Sequence, residues 1–270
     1  MTAIKIGIVG AAGRMGRTLI EEVSATPGAT LAGASERPGH DCIGQDAGTL
    51  AGVKPLGIAV AEKAEPVFAA SDVVIDFTAP KATLAHLALA AQHKTAMVIG
   101  TTGFDPAELE RLTAAARNVA IMRSANMSLG VNLLLALTER AAKALGPDYD
   151  IEVLEMHHKH KVDAPSGTAL ALGEAAAKGR GVKLASVAAR GRDGLTGARK
   201  PGAIGFAALR GGDVVGDHYV IYAGDGERIE LVHKASSRKI YSRGAVHAAL
   251  WLKDRKPGLY GMADVLGLKD

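Results

Sequence analysis

Ile4-Lys5-Ile6-Gly7-Ile8-Val9-Gly10-Ala11-Ala12-Gly13-Arg14-Met15-Gly16 is the stretch on which the fold turns. Its first six residues are a compact apolar run, as in a buried parallel strand. Arg14–Val23 then places Met15, Leu19, Ile20 and Val23 on one helical face. Between strand and helix stand Gly10, Gly13 and Gly16. Glycines there keep the turn tight and let backbone N–H groups approach a pyrophosphate at the positive end of the helix. Gly10, Ala11, Ala12, Gly13, Arg14 and Met15 are the expected contacts. The common fingerprint is G-x-G-x-x-G, whereas here Ala12 takes the place of the middle glycine. Glu36 follows about twenty residues beyond Gly16, where an acid hydrogen-bonds the adenosine ribose. Arg37 beside it can pair with a 2′-phosphate. The pair predicts acceptance of both NADH and NADPH.

Working outward, short apolar runs alternate with alanine- and leucine-rich helical stretches. Strands are expected at Leu31–Ser35, Val73–Phe77, Ala96–Ile99 and Val119–Met122, and a helix at Ala82–Gln92. Asp105-Pro106-Ala107-Glu108 reads as a capped helix start. This alternation implies an α/β, Rossmann-type, doubly wound parallel sheet. In such sheets ligands bind outside the carboxyl ends of the strands. Phe77 and Thr78, then Gly100, Thr101 and Thr102, then Ser124, Ala125, Asn126 and Met127 occupy those ends. They are expected along the path of the nicotinamide ribose and carboxamide.

The pattern changes near residue 127. A long amphipathic helix, Val131–Leu145, precedes a strand at Ile151–Met156 and an alanine-rich helix at Thr168–Lys178. Gly179–Gly202, rich in Gly, Arg and Lys, reads as mobile. Ile204–Leu209, Asp217–Tyr222 and Arg228–His233 are strands without intervening helices, so a second α+β domain with a mixed, mostly antiparallel sheet is expected. Ser242–Lys253 is a helix that packs back on the first domain. The domains read as 1–127 completed by 240–270, for the dinucleotide, and 128–239, for substrate and oligomerisation.

The chain has 270 residues, 48% hydrophobic and 22% charged, which excludes disordered and collagen-like classes. Glycine is abundant, 33 residues, and aromatics make up only 4%, which argues against a stacking platform for single-stranded nucleic acid. The net charge of +4 is mild and scattered, and fits a small anionic ligand without a nucleic-acid partner. Cys42 is the single cysteine, which suits a reducing, cytoplasmic setting. No apolar run is long enough for a membrane span, and the N-terminus lacks a signal-peptide pattern.

The densest chemistry is Glu155-Met156-His157-His158-Lys159-His160-Lys161-Val162-Asp163-Ala164-Pro165-Ser166-Gly167-Thr168. Three readings compete. Nearly contiguous histidines mixed with lysines suit a metal poorly, so no metal is expected. A solvated basic loop is the plain reading. An anion-binding catalytic loop is favoured, because Pro165-Ser166-Gly167-Thr168 opens a helix and adds backbone N–H groups to the cationic side chains. A small carboxylate suits that place, and a histidine or lysine there can supply the proton that accompanies a hydride.

These segments, with Gly100-Thr101-Thr102-Gly103-Phe104 and Ala125-Asn126-Met127-Ser128, closely resemble the 4-hydroxy-tetrahydrodipicolinate reductase (dihydrodipicolinate reductase) family over essentially the whole chain. The resemblance implies reduction of a small cyclic dicarboxylate in the diaminopimelate–lysine pathway with NADH or NADPH. His157 matches the family's proton donor/acceptor and Lys161 its proton donor. His158, Gly167 and Thr168 match substrate positions, joined here by Ser166. Arg238 and Tyr241 match hinge-region cofactor contacts. A homotetramer assembled through the second domain's sheet is also implied. Met127 and Tyr241 stand where the family often has Phe. Among other classes, an aldehyde dehydrogenase needs a nucleophilic cysteine near the reactive segment, which Cys42 is not. A hydrolase using Ser166 lacks the G-x-S-x-G elbow. A dinucleotide-binding redox sensor without catalysis is the main alternative.

Overall fold

A computed structural model describes residues 2–268; Met1, Lys269 and Asp270, at the ends of the expected first domain, lie outside the described residues. The chain runs through β1 (Ile4–Val9), α1 (Arg14–Ala25), β2 (Ala29–Ser35), α2 (Ala47–Ala51), β3 (Val60–Ala61) and α3 (Glu65–Ala70). Then come β4 (Val73–Asp76), α4 (Pro80–His93), β5 (Ala96–Ile99), α5 (Pro106–Ala115) and β6 (Ala120–Arg123). α6 (Leu129–Leu145), β7 (Asp150–His157), α7 (Gly167–Gly179), α8 (Leu184–Val187) and β8 (Ala188–Ala189) follow. β9 (Ile204–Arg210), β10 (Gly216–Gly224), β11 (Glu227–Ala235), α9 (Lys239–Leu252), β12 (Gly258–Tyr260) and α10 (Met262–Val265) complete it. Packing separates two compact units, Leu129–Arg238 and the residues on either side of it.

The first unit holds a seven-stranded sheet in the order β12-β6-β5-β4-β1-β2-β3, with every pairing parallel. The order reverses between β1 and β4, which makes their carboxyl ends the switch point of the sheet. β4 and β5 are buried at every residue, as strands covered on both faces must be. α1 and α9 pack together on the sheet, and α3, α4 and α5 form a second packed run. Leu19, Ile20 and Val23 are buried on α1, the stripe that the periodicity indicated. α5 carries the expected capping box: Asp105 accepts from the Glu108 amide at 2.8 Å and Glu108 accepts from the Asp105 amide at 3.0 Å. α4 starts earlier than the sequence suggested, because Pro80 sits in its first turn, where a missing N–H costs nothing.

The second unit is a five-stranded mixed sheet, β11-β10-β7-β9-β8. β10 pairs antiparallel with β11 and β7, while β9 pairs parallel with β7 and β8. The α7 crossover between β7 and β9 accounts for their parallel pairing, and β8 adds a second parallel pair at the edge. Alternation is strict along β7: Ile151, Val153, Glu155 and His157 are buried, and the residues between them are half-exposed. The apolar part of the buried face meets α6 and α7 through Leu134, Ala142, Leu172 and Ala176. Gly179–Gly202 is tied to β7 at two of its arginines. Arg199 bonds Asp150, Glu152 and the carbonyls of Ile151 and Ala203, and Arg192 forks onto Glu152 at 2.8 and 3.0 Å. A composition count could not show that these arginines meet carboxylates on a distant strand.

Candidate active site

At the switch point of the first unit, β1 ends on Gly10 in the left-handed region at φ 73°. α1 then starts so close to this turn that a Cβ on Gly16 would lie 2.2 Å from the Gly10 carbonyl oxygen. Only glycine fits, and the helix N-terminus is thereby held against the turn. Glu36, at the end of β2, accepts from the Ala12 and Arg37 amides, each at 2.9 Å. Its carboxylate is thus fixed beside the glycine turn. A cavity of about 430 Å³ opens here, lined by Gly10, Glu36, Arg37, Thr78 and His86 among others. Glycine cradle, fixed acid, neighbouring guanidinium and cavity together fit the adenosine and pyrophosphate of a dinucleotide.

The floor is a polar network at the end of β4. Asp76 is fully buried; it accepts from the Thr78 amide and hydroxyl at 2.9 and 2.6 Å, and its other oxygen lies 2.8 Å from His86 Nδ1. Thr101 joins it through Thr83 and Thr78, so Thr101 serves the turn from within. Gly100 makes room for the Phe77 ring: a Cβ there would come within 2.2 Å of that ring. Ser124 donates to the Asn126 carbonyl, and Asn126 Oδ1 accepts from the Ser128 amide. Thr102, Ala125, Gly13 and Arg14 are exposed, Ala12 and Met15 are half-buried, and Ala11 and Met127 are buried. Tyr241 is half-buried on α9.

In the second unit the reactive segment leaves the end of β7. Sheet register sets Glu155 opposite His218 on β10 and His157 opposite Arg210 on β9. Glu155, completely buried, accepts both Arg210 guanidinium nitrogens at 2.9 Å and the Ser166 amide at 3.1 Å. His157 Nδ1 lies 2.5 Å from Glu155 Oε2. Burial opposes the charge on Glu155, but hydrogen bonds and charge from Arg210 and His157 outweigh it and hold the carboxyl below its ordinary range. Lys161 donates to Asp163 at 2.6 Å, and that ammonium keeps the Asp163 carboxyl low. Ser166 caps α7 by accepting from the Ala169 amide at 3.1 Å, and its hydroxyl lies 3.1 Å from His218 Nε2. With amide and hydroxyl both engaged, Ser166 builds the helix start and leaves Gly167 and Thr168 at its rim.

An open cleft of about 570 Å³ is lined by His158, Lys159, His160, Gly212, Asp213 and Arg238. Desolvation and the nearby cations, Arg238 first, push the His158 pKa down. Lys159 and Arg238 outnumber the one carboxylate of the lining, Asp213, so the cleft keeps a net positive charge and suits a carboxylate. Among the described residues no cluster of three or more His, Cys, Asp or Glu is arranged to hold a metal ion, and no helix is long and apolar enough to cross a membrane. Arg210, His218 and His86 had no role in the sequence reading, and Asp76 had one only as part of the strand-end turn with Phe77 and Thr78. Glu155 could have been marked, since residues two apart on a strand share a face.

Two family models match the chain. One, described as dihydrodipicolinate reductase, N-terminus, covers residues 4–127, and the other, its C-terminus, covers 130–266. The curated 4-hydroxy-tetrahydrodipicolinate reductase of Dinoroseobacter shibae is 59% identical over 97% of this chain and 98% of its own length. The protein of that name from Brucella abortus is 57% identical over 97% and 98%. Among solved structures, dipicolinate-bound dihydrodipicolinate reductase from a Paenisporosarcina species shares the fold, with a TM-score of 0.78 at 24% identity, covering 97% of this chain and 99% of that one.

Burial, reinforced by the adjoining His157, pushes the His218 pKa down to about 4 from 6.5. The unfolded chain takes up this proton near pH 6.5 and the folded chain only near 4, so the stability is full above that window and falls as pH drops through it. At ~1.4 kcal/mol per unit the linkage is worth about 3 kcal/mol. His218→Gln should flatten the urea midpoint between pH 6.5 and 4. An unchanged slope contradicts the assignment.

Proposed function

The chain belongs to the dihydrodipicolinate reductase family, and we infer that it is an NAD(P)H-dependent oxidoreductase. Its reaction is the reduction of 4-hydroxy-tetrahydrodipicolinate to tetrahydrodipicolinate in diaminopimelate and lysine biosynthesis. The observation that carries the reading is the convergence in one unit of the Glu155-bound His157, Lys161, a cationic cleft and the α7 helix start. A redox sensor would need none of these.

Overall, a hydride and a proton enter the substrate and its hydroxyl leaves as water. When bound, NADH or NADPH supplies the hydride. The glycine turn at Gly10–Gly16 receives the pyrophosphate on backbone N–H groups, and Glu36 receives the adenosine ribose. Gly167 and Thr168, at the positive end of α7, hold one substrate carboxylate, and His158 in its cleft is a further substrate contact. Lys161 exchanges Asp163 for the substrate and donates the proton to the reacting centre. His157 accepts or relays a proton through Nε2, since its Nδ1 faces Glu155. Arg238 and Tyr241 extend the cofactor contacts.

Dual cofactor use, a cytoplasmic setting and a homotetramer belong to the same reading. Buried, free Cys42 supports a reducing compartment. The β7–β11 sheet supports self-assembly: on the face turned from α6 and α7, Leu154, Met156, Leu209, Tyr219, Ile221 and Val232 share one side by register, and Leu209 and Val232 are 46% and 45% exposed.

Lys161→Ala and His157→Ala should each lower kcat by roughly 10²–10⁴-fold in an assay following nicotinamide oxidation with freshly generated substrate. Near-normal turnover in both folded variants would sink the assignment. Arg37→Ala should raise the KM for NADPH at least about tenfold, with NADH little changed, if one charge-assisted contact worth ~1.4 kcal/mol or more is lost. Equal effects on the two cofactors would remove the role of Arg37. In sedimentation, Leu209→Glu should give species smaller than a wild-type tetramer; a monomeric wild type or an intact variant tetramer contradicts the interface.

A further inference from the structure

We propose that Glu155 is a positioning residue that sets the tautomer of His157 and, through the same carboxylate, the start of the substrate-binding helix α7. The proposal rests on the reductase reading above and deepens it. The carboxylate is completely buried and makes four contacts: Oε2 meets His157 Nδ1 and one Arg210 nitrogen, and Oε1 meets the other Arg210 nitrogen and the Ser166 amide. These fill the lone-pair sites of an ionised carboxylate. Arg210 and the Ser166 amide can only donate, so Glu155 is an acceptor in both directions. The proton between Glu155 and His157 therefore sits on Nδ1. The neutral imidazole then presents a lone pair at Nε2, which fits it to take up a proton while Lys161 gives one.

Arg210 also donates to the Asp163 carbonyl at 2.6 Å, which ties the backbone that carries Lys161 to the same hub. Proton acceptor, proton donor segment and anion-binding helix start are thus indexed to one side chain. His218, whose ring meets that of His157 edge-on at 5.1 Å, closes the remaining side.

Glu155→Gln inverts the hydrogen-bond logic. The new amide NH₂ would face donors at Arg210 and Ser166, so it can be satisfied only by His157 Nδ1, which moves the imidazole proton to Nε2. The variant should lose roughly 10²–10⁴-fold in kcat, by analogy with other carboxylates that hold a catalytic histidine, with KM for the nicotinamide cofactor within about twofold. In a His157→Asn background Glu155→Gln should cost little more in kcat, because it reaches the transferred proton through that imidazole, whereas its effect through the α7 start should persist there as a raised substrate KM. Full additivity of the two losses, or near-normal kcat in Glu155→Gln, overturns the proposal. ¹⁵N NMR of wild-type His157 tests it without any variant. A neutral ring protonated at Nδ1 supports it, and one protonated at Nε2 overturns it. Failure of the wild-type chain to reduce the substrate would count against the reductase reading and leave the tautomer result standing on its own.

Discussion

A carboxylate removed from water keeps its charge only if donors replace the lost hydration. Glu155 meets that demand with a guanidinium fork, an imidazole and a backbone amide. Each donor comes from a different place: Arg210 from β9, His157 from the end of β7 and Ser166 from the cap of α7. Satisfying one buried charge therefore requires the parallel β7–β9 register, the turn into α7 and the reactive loop to be right together. Removing any one donor would strand charge in the core, which costs several times what an exposed ion pair is worth. The geometry of the proposed chemistry is a by-product of that requirement.

The first unit solves a related problem with backbone. Its glycine turn brings the first-turn N–H groups of α1 to the carboxyl end of β1, and the close approach of Gly16 to Gly10 leaves no room for slack. Asp76 does beneath this turn what Glu155 does in the other unit. It is fully buried and gathers Thr78 and His86 around it. Both units thus pair a helix N-terminus with a buried carboxylate that fixes the surrounding loops, and both sites suit anions.

The elements legible in the sequence were those whose signal is local. Ile4–Val9, the α1 stripe and the Asp105 capping box are patterns complete within a few residues. β3 and β12 escaped because two or three residues cannot display a period. Of the site, the His157–Thr168 segment was readable as chemistry, but its organisation was not. Arg210 and His218 lie far along the chain and reach Glu155 only through sheet register. Likewise Gly100 resembles a ligand-facing glycine, while its immediate reason is the Phe77 ring lying where a side chain would be.

The chain order of the first unit also bears on how the protein is made. α1 and the central strands β4 and β5 depend on α9 for cover, yet α9 is encoded after the whole second unit. As the polypeptide leaves the ribosome, the parts of α1, β4 and β5 that meet α9 are synthesised early and covered late. The second unit, whose residues are continuous, can complete its core first. Vectorial synthesis therefore leaves a waiting hydrophobic surface on the nascent chain, the kind of surface on which chaperones act.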